Sequence, residues 1–260
     1  MKKIAVCGKG GVGKSFMVYS LTKAFQKKGF NVCVVDTDES NLGLPEMLGI
    51  KETPLAFMEY LGGKKSVQQN MMKRFSSGDK EVKISVIEDE SFPLAEIGNQ
   101  YIADHGSIKF ITIGKINMPM EGCACPMGAI SREFLEKVVL QENEIMIVDT
   151  EAGVEHFGRG VEKGIDTVIA ISEPTRESLS VAKRIFDLAS VMDKKRYLII
   201  NKVPYGQIED KAMGIARAMD LPVSGIVHYD MDVFNSAIEG TEITSKTAIL
   251  EVEEILNKLI

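Results

Sequence analysis

The sequence predicts a doubly wound α/β fold, in which a mostly parallel β-sheet is flanked by helices on both faces. Apolar runs typical of buried strands alternate along the chain with segments of helical periodicity. A glycine-rich turn separates the first strand from the first helix. The 260 residues, of which 45% are hydrophobic and 26% charged, suffice for the core of one domain of this kind. We therefore expect residues 1–260 to form a single domain.

The elements follow one another in regular alternation. Strands are predicted at residues 4–7, 31–36, 108–113, 145–149, 167–171, 197–200 and 223–227. Helices are predicted at residues 15–28, 129–141, about 174–192 and 207–219, with two more before the C-terminus. Weaker patterns lie between them: an apolar segment at 55–61 indicates short helices and loops, and Val82, Ile84 and Val86 alternate like an edge strand.

Composition excludes several classes of protein. The net charge of −6 does not favour binding to nucleic acid. No run approaches the roughly 18 apolar residues of a membrane span, and no secretory signal is evident. Because the chain looks intracellular, its four cysteines are not expected to form a disulfide framework. Cys7 and Cys33 lie in predicted buried strands, where cysteine usually acts as a small hydrophobe. We expect a cytoplasmic protein with no membrane or nucleic-acid partner.

The stretch Gly8-Lys-Gly-Gly-Val-Gly-Lys-Ser15 matches the phosphate loop G-x-x-x-x-G-K-[ST] between a strand and a helix. Glycines let backbone N–H groups approach phosphate oxygens, and the helix N-terminus adds positive potential. We expect Lys14 to reach the β- and γ-phosphates of ATP or ADP and the Ser15 hydroxyl to bind Mg²⁺. The candidate nucleotide-binding residues of this loop are Gly8, Lys9, Gly10, Gly11, Val12, Gly13, Lys14 and Ser15.

The same loop also matches the dinucleotide fingerprint G-x-G-x-x-G. Asp36 lies near the offset of about 20 residues at which an acidic residue binds a ribose in such folds. The pair Lys14-Ser15, which a dinucleotide fold does not need, favours the phosphate loop.

Three aspartates follow predicted strands and complete a candidate hydrolytic site. Because the carboxyl ends of parallel strands meet at one edge of a sheet, Asp36, Asp38 and Asp149 should converge on the γ-phosphate. We expect Asp36 and Asp149 to hold Mg²⁺ through its waters and Asp38 to orient the attacking water. Gly153 would let the following loop bend toward the γ-phosphate. A purely local capping role remains an alternative for Asp38.

Asn201 is the candidate base-reading residue. The segment Asn201-Lys-Val-Pro204 begins like the guanine-reading N-K-x-D, but Pro204 replaces the aspartate that guanine recognition needs. An Asn amide can instead pair with adenine, and a simple turn role is the alternative.

Cys123 and Cys125 lie in a loop rich in Gly, Pro and Met that is predicted at residues 114–127. Two thiolates leave a four-coordinate metal half-satisfied, and a two-fold dimer would supply two more. A redox pair and two incidental thiols are the alternatives. His156 follows the Asp149 motif closely, where it could sense the nucleotide or simply pack in the core.

Lys9, within Lys9-Gly-Gly-Val-Gly-Lys14-Ser15, resembles the deviant phosphate loop of the MinD-like ATPases. That family includes division-site regulators, the arsenite-pump ATPase and the nitrogenase iron protein. The resemblance implies a homodimer that sandwiches two ATP molecules, with Lys9 reaching the partner's phosphates and assisting hydrolysis there. Such a second cation suits an arginine-finger role; a solvated surface charge is the alternative.

Within that family the chain resembles the CooC-type ATPases, which mature carbon monoxide dehydrogenase by helping to insert nickel. The resemblance implies that Cys123 and Cys125 bind Ni²⁺, or Zn²⁺, across the dimer interface, and that the client is carbon monoxide dehydrogenase or a similar nickel enzyme. It rests on the Lys9 loop, Asp36-x-Asp38 with Ser40-Asn-Leu42, Gly122-Cys-Ala-Cys-Pro126, and Asp149-Thr-Glu-Ala-Gly153-Val-Glu-His-Phe-Gly-Arg-Gly160.

Two other functions remain open for a protein of this family. An iron–sulfur electron donor like the nitrogenase iron protein needs cluster cysteines from two loops, whereas exposed cysteines are expected here from one. A membrane-cycling positioning ATPase needs a basic C-terminal helix, but residues 249–260 contain Glu251, Glu253 and Glu254 against Lys258. We therefore expect this last helix to pack on the sheet.

Overall fold

The computed structural model describes residues 2–38, 43–63, 66–67, 69, 86–114 and 125–259. The strands of this described part are β1 (Lys3–Gly8), β2 (Asn31–Asp36), β3 (Phe92–Pro93), β4 (Ala103–His105), β5 (Ile108–Thr112), β6 (Val138–Val139), β7 (Glu144–Asp149), β8 (Thr167–Ser172), β9 (Lys195–Val203) and β10 (Val223–His228). Its helices are α1 (Lys14–Lys27), α2 (Leu44–Met47), α3 (Phe57–Tyr60), α4 (Cys125–Lys137), α5 (Glu155–Arg159), α6 (Arg176–Val191), α7 (Gln207–Ala218), α8 (Met231–Glu239) and α9 (Thr247–Leu259).

Eight strands form one sheet in the spatial order β10-β9-β8-β1-β7-β2-β5-β4. Every neighbouring pair is parallel except β4 with β5. The strands β3 and β6 pair separately. Helices cover both faces, so the predicted doubly wound fold is confirmed. The order places β1 at the centre, and the loop that follows it therefore lies at the carboxyl edge between its neighbours β7 and β8.

Alternating residues of β1 point into two separate cores. Ile4 and Val6 pack with α1 and α9 on one face of the sheet. Ala5 and Cys7 pack with α4, α6 and α7 on the other face. All four side chains are fully buried. A central strand buried on both faces explains why the pattern at residues 4–7 is a continuous apolar run and not an alternating one.

The helix predicted at residues 129–141 is displaced: α4 begins at Cys125 and ends at Lys137. Proline is tolerated in the first turn of a helix, so Pro126 does not delay the start. The helix ends early because Val138 and Val139 pair with Phe92 and Pro93 as strands. Of the predicted edge strand, residues 82 and 84 lie outside the described residues, and the Val86 N–H donates to the Glu133 carboxylate.

The C-terminal helix α9 packs against the sheet, as the sequence predicts. Val252 and Leu256 are fully buried in the core that α1 shares. Its acidic residues make contacts within the chain: Glu253 pairs with Lys27 at 2.7 Å, and Glu251 accepts from the backbone N–H of His228 at 2.8 Å. Within the described ranges, no helix has the length and apolar character needed to cross a membrane.

Candidate functional site

The phosphate loop joins the end of β1 to the start of α1 and requires glycine at two positions. A Cβ at Gly8 would lie 2.5 Å from the carbonyl oxygen of Ile171 in β8. Gly13 caps α1 with φ of 93°, a conformation that L side chains rarely adopt, and a Cβ there would lie 2.4 Å from Nδ2 of Asn201. Residues of β8 and β9 therefore approach the loop so closely at these two positions that only glycine fits.

Ser15 and Asp149, both predicted magnesium-site residues, are in direct contact. The Ser15 hydroxyl donates to Oδ2 of Asp149 at 2.9 Å. Lys14 is the first residue of α1 and is only 8% exposed, with its charge close enough to lower the pKa of Asp149 in part. These three side chains lie at the N-terminus of α1, where the helix dipole favours negative phosphate oxygens.

Asp36 and Asp149 are register partners on the adjacent strands β2 and β7, and both carboxyl groups are fully buried. Burial first, and then the neighbouring Asp36 charge, raises the pKa of Asp149 to about 7. Two buried carboxyl groups beside a serine hydroxyl form the hard oxygen set that Mg²⁺ prefers. The donor set therefore fits the predicted Mg²⁺, which would relieve the repulsion between the two carboxylates.

The segment after β2 is tied to the same centre. The Asp38 N–H donates to Oδ1 of Asp36 at 3.0 Å, and the Thr37 hydroxyl donates to the carbonyl oxygen of Asp149 at 2.8 Å. Asp38 is half-buried and lines the cavity beside the phosphate loop. The structure thus brings Asp36, Asp38 and Asp149 together at one edge of the sheet, as parallel strand order predicts.

The loop after β7 contacts the phosphate loop directly. The N–H of Gly153 donates to the carbonyl oxygen of Gly8 at 3.0 Å. Gly153 has φ of 87°, and a Cβ there would lie 2.5 Å from Oε2 of Glu155. A movement of the phosphate loop would therefore also move the segment that leads into α5.

Lys9 lies at the exposed end of the loop and pairs within its own chain. Its Nζ is 2.9 Å from Oε1 of Glu177, in the first turn of α6, and the two side chains are 41% and 76% exposed. This pairing leaves the predicted action of Lys9 on a partner subunit untested.

Asn201, predicted to read the base, lies beneath the phosphate loop. Its Nδ2 donates to the carbonyl oxygen of Val12 at 2.8 Å, and the residue is 3% exposed. Val12 itself is fully buried. The observed contact braces the loop, because the amide joins the end of β9 to the turn before Gly13.

A cavity of about 540 Å³ opens between the phosphate loop and α8. Its polar lining residues and glycines are Gly10, Gly11, Gly13, Lys14, Ser15, Asp38, Asn201, Lys202 and Asp230. Its apolar lining residues are Phe16, Met47, Ala152, Val233, Phe234, Ala237 and Ala248, and His228 and Tyr229 complete the lining. The volume lies within the range usual for sites that bind small ligands.

A model of the CobQ/CobB/MinD/ParA nucleotide-binding domain matches residues 3–243. This chain belongs to that family. An uncharacterized ATP-binding protein of Methanocaldococcus jannaschii is 41% identical over 257 residues, or 98% of this chain and 100% of that protein. The carbon monoxide dehydrogenase accessory protein CooC of Rhodospirillum rubrum is 32% identical over 220 residues, or 81% of this chain and 79% of that protein.

A solved structure shows the same fold. The septum site-determining protein MinD of Pyrococcus horikoshii, complexed with Mg-ADP, matches with a TM-score of 0.67 at 15% identity. The match covers 99% of this chain and 96% of that chain. This solved structure shows the likeness of the fold alone. The match to the family model confirms the predicted resemblance to MinD-like proteins at the level of the family, so this chain is a MinD/ParA-like ATP-binding protein.

In this member of the CobQ/CobB/MinD/ParA family, sequence reasoning missed Lys202. Its Nζ donates to the carbonyl oxygen of Gly11 and pairs with Oε1 of Glu173 at 2.9 Å. Its φ of 57° is unusual for a residue with a side chain and directs the ammonium group toward the phosphate loop. The motif Asn201-Lys-Val-Pro204 could have pointed to this residue, because Lys202 directly follows Asn201 in it.

Sequence reasoning also missed the residues after β10. His228 is the last residue of that strand and Tyr229 follows it, and both line the cavity. The His228 ring stacks on the Tyr205 ring, with centroids 4.0 Å apart. Nδ1 of His228 lies 2.7 Å from Oε1 of Glu251 in α9. The rule that placed the aspartates, that parallel strands end at one edge, applies equally to β10 and would have found them.

The predicted cysteine site falls outside the described side chains. Cys123 lies outside the described residues, and Cys125 is described only as the first backbone position of α4. Metal binding at this pair stays a prediction. His156 is 2% exposed and is not among the residues that line the cavity beside the phosphate loop.

Proposed function

We propose that this protein is a magnesium-dependent ATPase that converts ATP and water to ADP and phosphate as a homodimer, with residues 1–260 acting as one domain. The observation that carries the proposal is the contact of Ser15 with Asp149, 2.9 Å long, beside Asp36 and at the end of the phosphate loop. Two buried carboxyl groups and a hydroxyl can hold Mg²⁺ there. A bound Mg²⁺ would stabilise the negative charge that redistributes over the phosphate oxygens during hydrolysis.

In this proposal the residues of the site have three separate roles: they bind phosphate, hold the metal and orient water. Lys14 and the loop N–H groups bind the β- and γ-phosphates, and Ser15, Asp36 and Asp149 hold the metal, the Asp residues through its waters. Bound Mg²⁺ would neutralise phosphate charge. Asp38 accepts a hydrogen bond from the attacking water and orients it toward phosphorus.

Adenine would occupy the apolar side of the cavity. Phe16, Val233 and Phe234 offer flat or branched apolar surface there, and the polar edge near Asn201 leads to the phosphate loop. A cavity that combines the phosphate loop with apolar side chains of α8 suits a ligand with both phosphates and an aromatic base.

Lys9 would complete the site of the partner subunit. In each chain it would leave Glu177 and approach the partner's γ-phosphate, where a second cation stabilises the transition state. Hydrolysis would then require the closed dimer, since neither subunit alone places both lysines at one γ-phosphate.

The substrate of this ATP cycle is proposed to be a nickel ion destined for carbon monoxide dehydrogenase or a similar nickel enzyme. Support comes from the 32% identity to the accessory protein CooC and from the pair Cys123 and Cys125. One pair from each subunit gives four thiolates, which suit Ni²⁺ or Zn²⁺. We place the protein in the cytoplasm, where such thiols stay reduced.

The first test is phosphate release from ATP with and without Mg²⁺, in the protein and in Asp38→Asn. We expect the variant to bind ATP normally and to lose most of its hydrolysis. Equal hydrolysis by both proteins would contradict the role of Asp38, and ATP binding without any hydrolysis in the protein itself would contradict the ATPase.

The second test measures bound Ni²⁺ or Zn²⁺ per subunit, together with mass in solution, with and without ATP. One ion per two subunits in a dimer, lost in Cys123→Ala/Cys125→Ala, is the expected result. An unchanged amount of bound ion in the variant would contradict the shared site. Absorption typical of an iron–sulfur cluster after anaerobic reconstitution would favour the electron-donor function instead.

A further inference from the structure

A second group of metal-ligating side chains lies beneath the phosphate loop. Cys7 is the residue of β1 before Gly8, His156 belongs to α5, and Glu162 belongs to a short 3₁₀ helix at Val161–Gly164. One ligand atom from each side chain lies within 4.8 Å of the others. The three residues are 0%, 2% and 0% exposed, so the group is enclosed by the core.

Core packing does not account for Glu162. A buried carboxylate is destabilising unless hydrogen bonds or an opposite charge compensate it. Within the described part of the chain, neither oxygen of Glu162 accepts a well-formed hydrogen bond. Nε2 of His156 lies 3.1 Å from its Oε1. Burial raises the pKa of this carboxyl to about 7, whereas its own backbone N–H and the charge of Lys194 lower that pKa by less than burial raises it. Such a carboxyl group needs a cation or a proton.

We propose that Cys7, His156 and Glu162 form a buried binding site for one zinc-like divalent cation, separate from the site proposed at Cys123 and Cys125. Thiolate, imidazole and carboxylate are the ligand types that zinc binds in proteins, and three protein ligands with water in the fourth position form a known arrangement. The charges also balance, because one thiolate and one carboxylate offset the two positive charges of the ion.

The three ligand atoms need to move only slightly closer together to bind one ion. At bond lengths of about 2.0–2.3 Å, tetrahedral ligand atoms lie roughly 3.5 Å apart. The imidazole and the carboxylate already lie 3.1 Å apart. Burial, followed by the Glu162 charge, raises the pKa of the Cys7 thiol, so the thiol binds the ion only by releasing its proton to solvent.

The position of the site indicates what an ion there would do. Cys7 directly precedes the phosphate loop, whereas His156 follows Gly153, whose N–H contacts Gly8. An ion bound to both would fix α5 relative to β1 and would limit how far the segment after β7 moves during an ATP cycle. Three protein ligands and a water are typical of catalytic zinc sites, but here the core encloses all three ligands, so the site takes no part in the chemical step in this proposal.

The experiment uses the full chain carrying Cys123→Ala/Cys125→Ala as background, which removes the other proposed site. The background protein is stripped with a chelator, then titrated with Zn²⁺ alone, and separately with Co²⁺ as a spectroscopic probe. We expect one Zn²⁺ per chain, a thiolate-to-cobalt charge-transfer band, and a higher melting temperature with Zn²⁺. Adding Cys7→Ser should abolish the band and weaken Zn²⁺ binding by more than the roughly hundredfold of an outer-shell change.

Two further variants keep the test decisive. Glu162→Gln retains the thiol, so it should keep the cobalt band but bind Zn²⁺ more weakly, even if Cys7→Ser fails to fold. Cys33→Ser is the matched control, because Cys33 is equally buried in β2 and outside the group, and it should leave Zn²⁺ binding unchanged.

The outcomes separate this inference from the proposed function. A background protein that binds no Zn²⁺, or whose Zn²⁺ affinity is unaffected by Cys7→Ser and by Glu162→Gln, overturns the buried site. Loss of half an ion per subunit between the unmodified protein and the background tests the cysteine pair instead. Either site can therefore fail while the other stands.

Discussion

Lys9 and Glu177 form an ion pair within one chain, with Nζ 2.9 Å from Oε1, although Lys9 is the residue that would act on a partner's nucleotide. The Lys9 side chain is partly exposed and that of Glu177 largely so. Exposed pairs of this kind contribute about 0–1 kcal/mol, so the pair can open at little cost. If two subunits close on ATP as proposed, this pair would be the resting position from which Lys9 is released.

If Lys9 acts across the dimer, Lys9→Ala should lower kcat by roughly a thousandfold, the smaller of the effects known for arginine fingers. ATP affinity of the separate subunit should stay within a few-fold. Glu177→Gln should leave the melting temperature unchanged and raise phosphate release at protein concentrations where the dimer is scarce. Phosphate release measured against protein concentration tests both variants.

Lys23 offers a matched control for this prediction. Lys23 lies on α1, and its Nζ is 3.4 Å from Oε1 of Glu242 in a similar ion pair. Neither residue lines the cavity. Lys23→Ala should leave kcat unchanged. If Lys23→Ala lowered kcat as much as Lys9→Ala, the loss would not be specific to Lys9. That result would contradict the proposed action of Lys9 on the partner subunit's nucleotide.

Asp149 predicts a pH dependence of stability in the nucleotide-free, metal-free protein. Its pKa is raised to about 7, whereas an aspartate in an unfolded chain has a pKa of about 3.9. The folded chain therefore retains a proton that the unfolded chain has released. The resulting stability is fully present below about pH 4 and is lost as the pH rises through 7.

Asp149→Asn should consequently be more stable than the unmodified protein at pH 8, by on the order of a few kcal/mol, because the amide imitates the protonated acid. The advantage should shrink at pH 5, and magnesium-dependent hydrolysis should be lost. Chemical denaturation at both pH values, in the presence of a chelator, measures the difference. An equal difference at the two pH values would contradict the raised pKa.

Asn201 offers a choice between two roles that a nucleotide series can separate. If its amide braces Val12, Asn201→Ala should weaken ATP and GTP binding by the same factor, about tenfold or less, since a typical hydrogen bond is worth about 1 kcal/mol. If the amide reads adenine, ATP binding should fall while GTP binding does not. Calorimetric titration of both nucleotides decides between them.

Two glycines should respond to alanine in opposite directions. Gly8→Ala places a Cβ 2.5 Å from the Ile171 carbonyl and should both destabilise the fold and abolish ATP binding. Gly214→Ala, in the interior of α7 with open space around it, should stabilise the protein by up to about 1 kcal/mol and leave ATP binding intact. Melting temperatures and ATP titrations of the two variants provide the comparison.

The residues of the site that lie at the ends of strands were predictable from the sequence. Ser15 and Asp149 are distant in the chain, but each is associated with a strong strand pattern, and the carboxyl ends of parallel strands meet at one edge of the sheet. The helix α4 was misplaced because periodicity does not report pairing between distant segments: the brief strand at Val138–Val139 depends on Phe92, about 46 residues earlier.

The sequence by itself determined the α/β alternation, the phosphate loop and the aspartates at strand ends, since spacing and apolar periodicity encode them. Only the tertiary structure decided the neighbours of each side chain. It paired Lys9 with Glu177, turned Asn201 toward Val12, and brought Cys7 to His156 and Glu162. Those contacts join segments that are remote in the chain, and their geometry follows from how helices pack on the sheet.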